Sequence, residues 1–206
     1  MDMLILGLLM IKRHTVYDIR NIVRQFFQSM CSDSMGSIRS AVQKLLEAQL
    51  VTVTEYVERS VNKKQYAITD KGRQTFVEWL HTPANLSLPK NIELAKLLNM
   101  GFVAIEDRVQ LLDEAIALLE NTLSRLLIVQ STIQIEDGKA KAIAYWEADI
   151  EYLDGIKKVM QNSDVTQIAN AIGEFQMLSL QYEIDITKFQ IEWFRKLRNQ
   201  QVHVNG

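Results

Sequence analysis

The chain has 206 residues, 48% of them hydrophobic, with two prolines, eight glycines, one cysteine and a formal net charge of −2. That length holds one large or two small domains, and so little proline and glycine predicts long helices. The lone Cys31 excludes an internal disulfide and a cysteine-rich zinc site and fits a reducing cytoplasm, while the near-neutral charge excludes a nonspecific polycation.

The first helix is expected over Met3–Ile11, an apolar run of nine residues. It is too short to span a bilayer and lacks the flanks of a signal peptide, so it reads as a buried helix. A second helix starts near Thr15 and places Val16, Ile19, Ile22, Val23 and Phe26 on one face. A third starts after Asp33 or Ser34, either of which can cap it, with Ile38, Ala41 or Val42, and Leu45 facing inward. From Val51 the pattern changes to a period of two, with Val51, Val53, Glu55 and Val57 alternating against Thr52, Thr54 and Tyr56. A charged turn with a basic tip at Lys63-Lys64 leads into a strand through Gln65–Thr69, and Thr69-Asp70-Lys71-Gly72 opens a helix through Phe76, Trp79 and Leu80. Helix, strand, charged turn, strand is the order of a winged helix-turn-helix: one helix for a major groove and a cationic hairpin for flanking phosphates.

Both prolines fall in residues 83–89, where a helix break is expected. This predicts a winged helix-turn-helix over residues 1–82, a linker over 83–89, and a helical dimerisation and effector-sensing domain over 90–206. The first 82 residues carry a net +3 and the rest −5, which suits a DNA reader joined to an assembly module. From Val109 a heptad seam runs through Leu112, Ile116, Leu119, Leu123 and Leu126 until Asp137-Gly138 interrupts it. A further helix carries Ala142, Trp146, Asp149, Leu153, Ile156 and Met160. After a turn at Asn162-Ser163-Asp164 the last helix carries Ile168, Ile172, Phe175, Ser179, Tyr182, Ile186, Phe189 and Trp193. Such seams close an intramolecular bundle or an interface between two copies; two long seams favour the homodimer, with Val109 through Leu126 and Ile186, Phe189 and Trp193 as its contacts. The fold class is therefore mainly α with a small β-hairpin.

DNA binding needs cations for phosphate and donors or acceptors for base edges. The third helix supplies Ser34, Gly36, Ser37, Arg39, Ser40, Gln43 and Lys44 away from its apolar face; the hairpin supplies Arg59, Asn62, Lys63 and Lys64. A solvated helix face and a hydrated turn are the plain alternatives. The C-terminal aromatics, Trp146 and Trp193 first, could stack on a planar ligand, with core and dimer packing as the alternative. Enzyme chemistry finds no support: His14, His81 and His203 are scattered, and Glu147, Asp149 and Glu151 occupy alternate positions that diverge on a helix. No metal or cofactor is expected.

These residues resemble the PadR family of bacterial transcriptional regulators. The family's opening Ile-Leu-Gly-Leu-Leu is present as Ile5-Leu6-Gly7-Leu8-Leu9, and its Gly-Tyr-Asp/Glu-Ile as Val16-Tyr17-Asp18-Ile19. Its recognition segment is matched by Met35 to Leu45, and its closing strand, Tyr-x-Leu/Ile-Thr-x-x-Gly, by Tyr66-Ala67-Ile68-Thr69-Asp70-Lys71-Gly72. The match is specific over residues 4–80 and loose beyond, where Ile191-Glu192-Trp193 is similar to the family's closing helix. Arg39 replaces a tyrosine, Val16 and Gln49 replace glycines, and the wing lacks the usual Gly-Arg-Pro, so the DNA sequence read does not carry over. The resemblance implies a repressor that dimerises through C-terminal helices and releases DNA to a small aromatic or planar effector; two-fold symmetry then predicts a pseudo-palindromic operator in double-stranded DNA. The resemblance also implies a phosphate contact for Tyr17, with half-buried packing against the third helix as the plain alternative. A winged helix that contacts another protein, or a helical carrier of small molecules without DNA function, remains the alternative.

Overall fold

The computed structural model describes residues 1–27, 31–58, 61–82 and 94–203. The elements are α1 (Asp2–Ile11), α2 (Val16–Phe26), α3 (Met35–Glu47), β1 (Val51–Glu58), β2 (Val61–Ile68), α4 (Asp70–Leu80), α5 (Leu94–Leu98), a 3-10 turn at Met100–Phe102, α6 (Ile105–Thr132), α7 (Ile135–Ala148), α8 (Ile150–Met160) and α9 (Val165–His203). It is mainly α with one antiparallel hairpin, as the sequence predicts. Among the described residues no helix is long and apolar enough to cross a membrane.

Local chemistry sets the boundaries. Thr15 and Asp18 form a reciprocal capping box at the start of α2, with Thr15 Oγ1 accepting from the Asp18 N–H and the Asp18 carboxylate from the Thr15 N–H. Ser34, not Asp33, caps α3, and Thr69 caps α4. Gln49, with φ of 60°, ends the α3 segment in the left-handed conformation that glycine adopts without strain. The Thr69 hydroxyl donates to Gln49 O at 2.9 Å, holding that turn against the start of α4.

The chain divides into two compact units. One comprises Met1–Ala84 with Gln134–Gly173; the other comprises Asn85–Ile133 with Glu174–Gly206. One boundary, Ala84/Asn85, falls within the expected linker 83–89, which lies outside the described residues; the others fall at Ile133/Gln134 and Gly173/Glu174. Residues 134–173, predicted to belong to the C-terminal domain, share one apolar core with the N-terminal helices: Trp146, Tyr152, Ile156, Ile168 and Ala169 pack in the same cluster as Ile5, Leu9, Ile19, Ile38 and Leu45. Trp146 is 1% exposed, and its indole N–H donates to Ile11 O at 2.7 Å. In α1, apolar on nearly every side, Ile5, Leu6, Leu8 and Leu9 are all buried.

Other departures concern breaks. The expected interruption at Asp137-Gly138 falls at Ile133-Gln134 instead; Asp137 and Gly138 lie near the start of α7, where an acidic side chain suits the helix dipole. The helix expected to run through Asp149 stops there, because Asp149 caps α8 by accepting from the Tyr152 N–H. The hairpin is covered only at its base: Val51, Tyr66 and Ile68 are buried, while Val53 and Val57 are exposed, because a lone two-stranded sheet has core beneath only one end.

In the second unit, α6 and the later part of α9 are tied by Gln130 with Gln181, Glu120 with Arg195, and Asp113 with Arg198. As one partner number falls the other rises, so the two helices run antiparallel. Leu112, Ile116, Ile184 and Ile191 are buried within the single chain.

Two measurements test this packing. A Cβ at Gly72 would lie 2.1 Å from Leu50 O and 2.8 Å from Ile68 Cγ1, so Gly72→Ala is expected to cost about 3 kcal/mol or more in denaturant melts. His14, whose backbone pairs with Tyr66, is buried, and burial pushes its pKa down from 6.5 to about 4. The unfolded imidazole takes a proton near pH 6.5 while the folded one resists it. Stability is therefore held above pH 6.5 and falls, by on the order of 3 kcal/mol, as the pH drops toward 4. His14→Gln should flatten that slope in melts between pH 7 and 4.

Candidate nucleic-acid interface

The interface is built on α3. Its buried stripe of Ile38, Ala41, Val42 and Leu45 anchors it in the first unit's core and turns Gly36, Ser37, Arg39, Ser40, Gln43 and Lys44 to solvent. Arg20 donates from Nε to Asp33 O at 3.2 Å, fastening the segment before α3 to α2; sequence reading did not single it out.

The candidates differ in how free they are. Ser34 is consumed by the cap: its Oγ accepts from the Ser37 N–H at 3.1 Å, and its hydroxyl donates to Ser37 Oγ at 2.8 Å. Gly36 is open, with nothing within 4 Å of where a Cβ would stand, so a phosphate can approach its backbone N–H. Gln43 donates to Glu47 at 3.0 Å along the helix. Arg39 and Lys44 are exposed and make no side-chain hydrogen bond or ion pair among the described residues. Arg39 and Gln43 lie one turn apart on the same face. Tyr17, on α2, is 64% exposed, against the alternative of packing on α3.

The hairpin departs from the expected layout. Lys63 and Lys64 do not form its tip. They lie within β2, opposite Tyr56 and Glu55. Lys64 pairs with Glu55 at 2.8 Å, and that carboxylate raises the ammonium pKa. Both partners are solvent-exposed, so the pair is weak and a phosphate can compete for the lysine. Asn62 is exposed in the same strand. Arg59 lies outside the described residues.

The predicted dimer contacts split into three groups. Leu112 and Ile116 are buried within the chain's own second unit, a correction with a plain cause: their seam closes intramolecularly. Val109, Leu119, Leu123 and Leu126 are partly buried. Ile186, Phe189 and Trp193 remain exposed, and Phe175, Leu178 and Tyr182 are exposed along the same helix. Of the two tryptophans, Trp146 has no open face to offer a ligand, since its ring is core and its N–H is bonded to the backbone. Trp193 is exposed and meets Phe194 edge to face at 5.1 Å. Trp79, in α4, lies 5.9 Å from Phe76 with the rings tilted by 33° and stays half exposed.

Among the described residues no group of three or more His, Cys, Asp or Glu is placed to hold a metal ion. Cys31 is half-buried, and burial raises its thiol pKa, away from the reactive thiolate.

A helix-turn-helix followed by a two-stranded wing and long C-terminal helices defines the class: a winged-helix protein of the architecture found in PadR-like regulators. Bacillus subtilis PadR in complex with operator DNA superposes with a TM-score of 0.66 at 19% identity, over 97% of this chain and 98% of that one. The Vibrio cholerae virulence activator AphA follows at 0.64 and 17%, over 98% of both chains. Bacillus subtilis PadR in complex with p-coumaric acid gives 0.63 and 17%, over 97% of both. No family model and no curated protein sequence matches the chain. The likeness is one of fold, and it extends over nearly the whole length, well beyond the residues 4–80 that carry the sequence motifs.

Proposed function

We propose that this protein is a sequence-specific DNA-binding transcriptional regulator, acting in the cytoplasm as a homodimer on a pseudo-palindromic operator. The observation that carries the proposal is the exposed face of α3, with Arg39 and Lys44 unengaged and Gln43 one turn from Arg39, held beside a hairpin that bears Lys63 and Lys64. A guanidinium reads guanine O6 and N7 and an amide reads adenine N6 and N7, so Arg39 and Gln43 supply base readout. Gly36, Lys44, Tyr17 and the hairpin cations supply phosphate contacts. The operator-bound PadR structure supports this use of the fold.

The exposed Phe175, Leu178, Tyr182, Ile186, Phe189 and Trp193 support self-association, because six large apolar side chains on one helix make a patch that a lone chain in water leaves uncovered. Two-fold pairing then sets half-sites about one helical turn, or a multiple, apart. The regulator acts as a repressor by occupying a promoter. It is released when a planar effector, stacked on exposed aromatics such as Trp193, binds one arrangement of the two copies better than the other.

Anisotropy titration with the DNA upstream of this protein's own gene, against scrambled DNA of equal length, is the direct test. Tight, salt-sensitive and sequence-selective binding is expected. Arg39→Ala should weaken the preferred sequence by roughly 5- to 150-fold and scrambled DNA far less. Replacing Lys63 and Lys64 together by alanine should weaken both DNAs and lower the salt slope by up to about 2. If the double change leaves affinity untouched, the hairpin does not lie on DNA.

Phe189→Asp changes an exposed side chain, so each chain should still fold. Sedimentation should shift from dimer to monomer, and operator affinity should fall at least tenfold as the two half-sites uncouple. A variant that stays dimeric places the interface elsewhere.

A further inference from the structure

Side chains of the hairpin alternate between two faces, and its register fixes which residues share one. Val51 lies opposite Ile68 and Val53 opposite Tyr66. Val51, Tyr66 and Ile68 are buried in the cluster that holds Ile38, Val42 and Leu45 of α3, so this face is the one turned toward α3. Further out the same face continues with Glu55 opposite Lys64, then Val57 opposite Asn62. Lys63 belongs to the other face, opposite Tyr56. The two neighbouring lysines therefore point to opposite sides of the hairpin, and Lys64 is the one on the side of α3.

Lys64 Nζ donates to Glu55 Oε1 at 2.8 Å. The pair stands in water, with the lysine side chain 62% and the glutamate side chain 63% exposed, and Val53 and Val57 beside it are exposed too. An exposed cross-strand pair adds little stability, so holding the strands together is a small part of what this carboxylate does. Among the described side chains of the hairpin Glu55 is the only acidic one. It sits against the lysine, and on the face, that a phosphate beside α3 would meet. A surface built only to attract DNA has no use for a negative charge at that place.

We propose that Glu55 is a selectivity-determining residue, holding Lys64 in an ion pair that gives way when α3 has seated the hairpin against DNA in register. Because it works through DNA, this role rests on the DNA-binding function proposed above. In a loose complex, held by phosphate attraction without fixed register, the lysine stays on Glu55 and the carboxylate repels the backbone. Once Arg39 and Gln43 engage their base pairs, α3 fixes the hairpin at one distance from one phosphate, and Lys64 exchanges the carboxylate for it. The seated complex replaces one ion pair by another; the loose one keeps the repulsion and gains nothing. Nonspecific affinity is almost wholly phosphate attraction, so the carboxylate lowers affinity for the wrong DNA more than for the right one.

Glu55→Gln removes the charge and keeps the size of an exposed side chain, and a thermal melt should match that of the unaltered chain. Anisotropy titrations of the full chain compare scrambled DNA with a duplex that the unaltered chain has itself selected from random sequence. In Glu55→Gln the affinity for scrambled DNA is expected to rise about fivefold, the worth of one charge a few ångströms from another in water. Affinity for the selected duplex should rise less than about twofold, so the ratio of the two falls. Glu55→Asp keeps the charge and should retain the ratio. With Lys64→Ala in place no exchange can occur, so adding Glu55→Gln should raise both affinities alike and leave the ratio unmoved. A ratio that does not fall in Glu55→Gln, or that falls equally with Lys64→Ala in place, overturns the role of Glu55 and leaves the DNA-binding function standing. Failure of the unaltered chain to select any duplex overturns both.

Discussion

The burial of α7, α8 and the start of α9 against the N-terminal helices is the constraint on which the rest of the first unit depends. Trp146 is its centre, a large indole inside the core with its only N–H given to Ile11 O. A buried indole must find an acceptor, and the carbonyl at the end of α1 supplies one. That one bond joins residues 135 positions apart and makes a segment from the second half of the chain part of the winged-helix core.

The arrangement places chemistry as well as structure. Asp149 caps α8 and pairs with Arg13, just after α1, so the helix start and the ion pair reinforce each other. Tyr152, one turn on, lies against both Arg13 and Arg73, and burial pushes its phenol pKa up to about 12. Gly155, one turn further, leaves room for Arg73. The α8 face is thereby fitted to α4 and to Arg13 through charge and aromatic contact, not through apolar packing alone.

The surfaces proposed for DNA and for self-association follow from helices that bury one stripe and leave another. In α3 the buried stripe is apolar and the remainder polar, so the exposed face is soluble and free to meet DNA. In α9 both faces carry large apolar groups: Ile184 and Ile191 go inward, while Phe189 and Trp193 go outward. A helix apolar on two sides needs two partners; within the chain α6 supplies one, and the second copy proposed above would supply the other.

Much of this was legible in the sequence because it is local. Helical spacing placed Ile38, Val42 and Leu45 inward, the threonines and serine marked the caps, and the change to a period of two located the hairpin. The glycine-like turn at Gln49 was visible as a departure from a family pattern, and its positive φ gives the reason glycine is favoured there. What the sequence could not supply depends on distant partners. Nothing near Arg73 marks it as buried, since its environment comes from residues 152 and 155. A heptad seam looks the same whether its partner is another segment or another copy, so Leu112 and Ile116 read as intersubunit contacts although they close inside the chain. The proline-bearing segment coincides with one boundary between the units, but nothing local marks the return of residues 134–173 to the first. Periodicity determines which side of a helix is buried; only tertiary packing decides what buries it, because hydrophobic attraction has no direction and takes whichever apolar surface the folded chain brings near.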